Sequence, residues 1–226
     1  MLACYALTLP LTPPRKSAKV RFAPLKALAL VSYRPFAVFL ICHFGLCLTF
    51  PVSIQNTPLL LMSLGIPKER LTLDMTLAQS TEVVTLLALP WILTRFQFRR
   101  ALLVGIGAWT LGMAVMMIGE PRTLVIGSLV FHGVYICCFL VTGQVFVNRL
   151  ATGDIRASAQ GLLTFSAGLA MLGGNFLVGW IRELAGERFP PVFGFGAALA
   201  AVLLMVFFLG FHHETERLAE HQQIVK

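Results

Sequence analysis

Charge is scarce in this sequence. Only 12% of its 226 residues are Asp, Glu, Lys or Arg, about half the usual share for a soluble domain, and the acids number just 10. So few charges cannot coat a water-facing surface, which excludes an ordinary soluble globular fold. The 18 lysines and arginines leave a net charge of +8. They fall in the short connections between apolar tracts and build no aromatic-interleaved patch, so the basic excess reads as membrane orientation and not as a nucleic-acid surface.

Signatures of catalysis and metal binding are missing as well. Cys4, Cys42, Cys47, Cys137 and Cys138 lie in apolar surroundings without C-x-x-C spacing, and they read as small buried hydrophobes. The sequence has no H-E-x-x-H pair, no G-x-S-x-G elbow and no phosphate-cradling glycine loop. Ser128 and His132 share one predicted helix, a poor arrangement for a nucleophile and its base. The expectation is a protein that is not an enzyme and uses no cofactor or metal.

What the sequence has in excess is apolar tract. It is 57% hydrophobic with a mean hydropathy of +0.81. Six tracts are long enough to cross the roughly 30 Å hydrocarbon layer as helices. They run from Pro35 to Asn56, Leu71 to Leu93, Ala101 to Ile118, Leu124 to Val147, Ala157 to Ile181 and Val192 to Phe211. The predicted fold is therefore all-α, a polytopic bundle over residues 35–211 embedded in the lipid bilayer. An even number of spans puts both ends on one side, and positive charge marks the cytoplasmic side. The cytoplasmic set is Arg15, Lys16, Lys19, Arg21, Lys26, Arg34, Arg95, Arg99, Arg100, Arg149, Arg156, Arg217 and Lys226. The outer set is Lys68, Arg70, Arg122, Arg182 and Arg188. Thirteen against five, out of 18, places both termini in the cytoplasm.

Outside the spans, Met1 to Pro14 is apolar but short, with its basic cluster after the apolar part, the wrong order for a secretory signal. It looks like the end of a preceding transmembrane helix. Residues 15–34 are basic and partly amphipathic, suited either to a helix on an anionic cytoplasmic leaflet or to a solvated cytoplasmic link. Residues 212–226 are expected to form a cytoplasmic tail.

Inside the spans, Glu82 lies near the middle of the second tract, with Gln79 one turn before it and Pro90 two turns after. An ionisable group at that depth costs about 2.5 to 3.5 kcal/mol on insertion scales. It marks either an ion or substrate pathway or an interhelical hydrogen bond that holds the bundle together. Gln79, Glu82 and Thr85 step by three residues and form one polar strip on an otherwise apolar helix. At the end of the first tract, Gln55 and Asn56 sit between Pro51 and Pro58, the pattern of a broken helix contacting substrate or of the outer interface. In the fourth tract His132, Tyr135, Thr142 and Gln144 are dispersed over more than one face, so only some can share a cavity. His43 and His132 read equally as packing residues and as proton carriers. Asn175, beside Gly173 and Gly174, is a further polar candidate. Gly105, Gly112 and Gly119 recur every seven residues, and Gly161, Gly168, Gly173, Gly174 and Gly179 thin out the fifth tract; close helix packing is the direct reading of both sets.

Several of these stretches resemble a known family. Ala78-Gln79-Ser80-Thr81-Glu82, followed by Leu89-Pro90-Trp91 and Arg95-Phe96, resembles the eighth helix of nucleoside:proton symporters in the major facilitator superfamily. His132-Gly133 through Val147, and then Asp154 through Leu162, look like the tenth helix, its cytoplasmic loop and the start of the eleventh. The resemblance implies the C-terminal six-helix half of a twelve-helix transporter, built as two three-helix inverted repeats, Pro35 to Ile118 and Leu124 to Phe211. It implies proton-linked uptake of a nucleoside or similar small polar solute across the inner membrane, with a missing N-terminal six-helix half as partner. The alternative is a non-transporting truncated product or an accessory membrane subunit.

The family association carries the nucleoside site to Gln79 and Glu82, with Glu82 as the proton-coupling group. Gln55, Asn56, His132, Tyr135 and Thr142 follow as further substrate-binding candidates, and Arg156 as a gating residue at the cytoplasmic mouth. Two departures stand out: many relatives carry an aspartate where this chain has Cys137, and another where it has Asn148. The first leaves Glu82 as the only carboxylate expected deep in the membrane.

The charge count gives a direct expectation for topology. Single cysteines at positions 68 and 187 of a cysteine-free variant should react in intact cells with an impermeant maleimide, and those at 99 and 217 should not. Labelling at 99 would reverse the orientation.

Overall fold

The computed structural model describes residues 28–151, 155–186 and 188–211. The expected helix remnant at 1–14, the link up to residue 27 and the tail at 212–226 lie outside them. Among the described residues the fold is all helical. A short 3-10 turn, Leu30–Ser32, leads into α1, Arg34–Ser63, followed by α2, Lys68–Arg95, and α3, Phe98–Ile118. Then come α4, Arg122–Leu150, α5, Arg156–Ala185, and α6, Pro190–Gly210. All six are long and apolar enough to span a membrane.

Helix boundaries follow local chemistry. Pro35 and Pro190 occupy the first turns of α1 and α6, where a missing N–H costs nothing. In α2, Glu69 sits in the first turn and Arg95 in the last, each at the end of the helix dipole that favours its charge. Gly119 ends α3 with φ 74°, a left-handed cap that a side chain would strain. That role corrects the sequence reading of Gly119 as the third member of a packing face.

The first span also differs from expectation. Pro51 and Pro58 do not break it: α1 continues to Ser63, seven residues beyond the expected end at Asn56. Each proline removes one intrahelical hydrogen bond, and the helix axis carries on past it. The irregularity lies instead in α4, where Ile136–Val141 forms a π-helical turn. The Thr142 hydroxyl donates to the Cys137 carbonyl at 3.0 Å, five residues back, and so satisfies an acceptor inside that wide turn.

Two helices stand apart from the rest. The apolar windows of α2 and α5 are 11% and 22% buried, against 39–50% for the other four, so α1, α3, α4 and α6 form the packed body. The pairings obey the inverted repeat. Exchanging α1, α2 and α3 with α4, α5 and α6 turns the α1–α5 contact into α4–α2 and the α1–α6 contact into α4–α3, while α3–α6 maps onto itself.

Lipid tails are as apolar as leucine, so dispersion at close approach, more than exclusion of water, must hold such helices together. Glycines provide the approach. A Cβ on Gly133 of α4 would lie 2.4 Å from the Glu82 nitrogen of α2, and one on Gly174 of α5 would lie 2.2 Å from the Leu48 oxygen of α1. Gly105 of α3 meets the Phe139 backbone at the π turn of α4 in the same manner, and Gly112 meets Phe131. The other four glycines expected to pack α5, at 161, 168, 173 and 179, have nothing within 4 Å of a built Cβ.

Polar and basic groups complete the body. The buried Trp109 indole N–H donates to the Thr49 hydroxyl at 2.8 Å, which itself donates to the Leu46 carbonyl. Arg99, at the start of α3, donates to the Phe208 carbonyl in the last turn of α6 at 2.9 Å and lies 5.5 Å from the Phe208 ring centroid. A residue read from sequence as a topology determinant thus also ties two helix ends together.

Gly133→Ala should force α4 off the α2 backbone and destabilise the detergent-solubilised protein by about 1–3 kcal/mol, the usual cost of overpacking. Gly107→Ala, where a Cβ would meet open space, is the control and should leave the melting temperature unchanged or slightly raised. Equal melting temperatures for both variants would show that the Gly133 crossing is not close.

Candidate functional site

Glu82 is at the centre of α2, fourteen residues from Lys68 and thirteen from Arg95. Its residue is half-buried, since Gly133 lets the α4 backbone press on the peptide between Thr81 and Glu82. One turn further along α4, the Cys137 thiol donates to the Glu82 carbonyl at 3.2 Å. The backbone around this acid is therefore clasped at two points by one neighbouring helix. Among the described residues its carboxylate has no ion-pair partner; the salt bridge found in α2 joins Arg70 to Asp74 at 3.8 Å, near the other end of the helix. Gln79 is exposed, one turn from Glu82 on the open side of α2, and makes no hydrogen bond to a described residue.

The α1–α5 seam carries the second polar group. Gln55 is exposed, and its Nε2 donates to the Asn175 Oδ1 across the two helices. Asn56, next in sequence, is wholly buried. Its Nδ2 donates to the Val52 carbonyl at 2.9 Å, and its Oδ1 accepts from Arg182 Nη1, also at 2.9 Å. The Arg182 guanidinium lies 5.8 Å from the Phe189 ring centroid.

The remaining sequence candidates from the fourth span turn inward. His132 packs against Phe50 and Trp109, with ring centroids at 5.8 and 5.7 Å. It also lines a void of about 10 Å³ bounded by Ser53, Met113 and Ser128, room for about one water. Tyr135 is fully buried, its ring centroid 4.2 Å from that of Trp109 and 5.8 Å from that of Phe139, and its hydroxyl has no partner among the described residues. Thr142 is fully buried, with its hydroxyl committed to the π turn. Arg156 is exposed at the first position of α5. The structure thus brings Gln79 and Glu82 together on one seam and Gln55 and Asn56 on the other, and it keeps Tyr135 and Thr142 off the open face.

Sequence reasoning missed Arg182 as a site residue, counting it only as an outer charge, and passed over Asp74. The spacing of Asn175 and Arg182, seven residues apart on one helical face, is the signal that was present for the first. The Asp74 side chain is 11% exposed beside Arg70, the spacing of a helical ion pair.

A six-helix inverted repeat with a lone acid at the middle of a barely buried helix defines a membrane protein of the secondary-transporter class. The nucleoside H+ symporter family model matches residues 1–216, and the chain belongs to that family. It is 31% identical over 232 residues to the putative nucleoside transporter YegT of Escherichia coli K12, covering 92% of this chain and 54% of that protein. It is 28% identical over 243 residues to the xanthosine permease of the same organism, covering 96% and 58%. A crystal structure of a mutant of the nucleoside transporter NupG superposes with a TM-score of 0.76 at 24% identity, over 93% of this chain and 58% of that one, a likeness of fold. The chain spans a little over half the length of the curated relatives it matches.

If Thr142 serves the π turn, Thr142→Val should lower stability by about 1 kcal/mol, the net worth of one hydrogen bond. Thr142→Ser, which keeps the hydroxyl, should restore it. A Thr142→Val variant as stable as the wild type would show that the hydroxyl does not hold the turn.

Proposed function

We propose that this chain forms the C-terminal six-helix half of a proton-linked nucleoside transporter of the cell inner membrane, with both ends cytoplasmic. The observation that carries the reading is Glu82, an acid at the centre of a membrane span, without a cation among the described residues, on a helix whose other face is open. Family membership and the names of the relatives support a nucleoside as solute. Such a charge costs about 2.5 to 3.5 kcal/mol at mid-membrane, so it is offset by a bound proton, by hydrogen bonds to a polar solute, or by water in a cavity. Alternating access supplies these in turn. Glu82 takes a proton while its seam opens to one face and releases it when the seam opens to the other; Gln79 offers the solute a donor and an acceptor beside it.

The binding role narrows to residues on the open faces, Gln79, Glu82 and Gln55, while Asn56, His132, Tyr135 and Thr142 position the helices that carry them. Arg156, at the cytoplasmic mouth of α5, orients or gates that end of the bundle. The open faces of α2 and α5 call for a second six-helix bundle, because a carboxylate facing lipid is expensive and one bundle forms one wall of a midplane site.

Two measurements test this. Reconstituted alone, the chain should show no saturable nucleoside uptake, and co-assembly with a matching N-terminal bundle should produce it; saturable uptake by the isolated chain would refute the half-transporter reading. In the assembled transporter Glu82→Gln should abolish proton-driven accumulation with membrane abundance preserved. Wild-type accumulation by that variant would remove the proton role, and loss of the protein from the membrane would make Glu82 structural.

A further inference from the structure

The α1–α5 seam holds a polar set that the acid of α2 does not account for. Gln55 and Asn175 meet on the exposed side of the seam, and Arg182 lies on the same face of α5, seven residues or about 10 Å further along the helix. Gly179 stands between Asn175 and Arg182 with nothing within 4 Å of a built Cβ, so the space beside both polar groups is open.

The hydrogen-bond inventory shows what remains unused. Asn175 commits its Oδ1 to Gln55 and one Nδ2 proton to the Met171 carbonyl at 2.7 Å, leaving one N–H. Gln55 commits one Nε2 proton and keeps a second together with its Oε1. Arg182 commits one Nη1 proton to Asn56, out of the five donors a guanidinium carries. The set is therefore rich in donors, positively charged, and contains one free carboxamide oxygen. Asn56, with both ends of its own carboxamide occupied, acts as the anchor that fixes the guanidinium.

We propose that Gln55, Asn175 and Arg182 form a base-recognition patch that selects an imide edge, two ring carbonyls flanking an N–H, as in uracil and xanthine. The carbonyls accept from Arg182 and the carboxamide N–H groups, and the ring N–H donates to Gln55 Oε1. The exocyclic amino group of cytosine or adenine places a donor where the patch also donates, and leaves polar groups unpaired. This inference rests on the nucleoside-transporter reading and specifies its substrate class.

The test titrates uridine and cytidine against the chain co-assembled with a matching N-terminal bundle in lipid nanodiscs, read by tryptophan fluorescence. Uridine should bind about tenfold more tightly than cytidine. Arg182→Gln and Asn175→Ala should each bring that ratio towards one. Asn175→Asp keeps the acceptor for Gln55, gives up the donor to the Met171 carbonyl and exchanges the free donor for an acceptor, so it should shift preference towards cytidine, a reversal that misfolding cannot mimic. Gly107→Ala, where an added Cβ meets open space, should leave the ratio intact. If the wild type binds both nucleosides equally, or the seam variants keep the wild-type preference, the patch is wrong and the transporter reading stands; if the wild type binds neither nucleoside, both fall.

Discussion

Two glycines touching neighbouring backbones set the form of this bundle. Gly133 rests on the peptide between Thr81 and Glu82, and Gly174 rests on the Leu48 carbonyl. Any side chain at either position would push a helix outwards, and in hydrocarbon no aqueous driving force would return it. Because α2 packs mainly on α4 and α5 mainly on α1, these crossings decide how both peripheral helices sit. They also decide rotation: with its inner face fixed against Gly133, α2 must present Gln79 to the open side, and α5 fixed through Gly174 must present Asn175 beside Gln55.

The inverted repeat then yields two equivalent seams with unlike chemistry. The α2–α4 seam carries an acid without an ion-pair partner among the described residues, and the α1–α5 seam carries donors and a cation. The same fold device serves both, since the second helix of each repeat lies over the first helix of the other. Because they lie on separate seams, Arg182 forms no ion pair with Glu82. Such a pair would neutralise the charge by a fixed contact, and nothing would remain for a proton or solute to do.

The six spans were legible because hydropathy over twenty residues is a strong signal that tertiary context does not override. The repeat of Gly105 and Gly112 was likewise legible as a packing face. Other features depend on information a linear pattern lacks. Hydropathy does not say which side of a helix meets a neighbour, so Tyr135 and Gln79 look alike as polar interruptions although one is buried and the other exposed. Proline marks a missing hydrogen bond without saying whether the helix bends, and α1 continues through two of them. The π turn of α4 contains neither proline nor glycine; its sequence, Ile-Cys-Cys-Phe-Leu-Val, reads as ordinary helix, and only the position of the Thr142 hydroxyl shows what stabilises it.

Cys137 connects that π turn to the acid. Its carbonyl accepts from Thr142 within the turn while its thiol donates to the Glu82 carbonyl on the next helix. A thiol is a weak donor, and here it bonds the backbone, which leaves the Glu82 carboxylate without a fixed partner among the described residues. A second carboxylate at this position would offer another resting place for a proton close to the first. With a thiol in place, neither a second acid nor a cation is set against the Glu82 carboxylate among the described residues. In the proposed transporter this acid, held by its backbone and open at its carboxylate, is the group left for a proton and a solute to share.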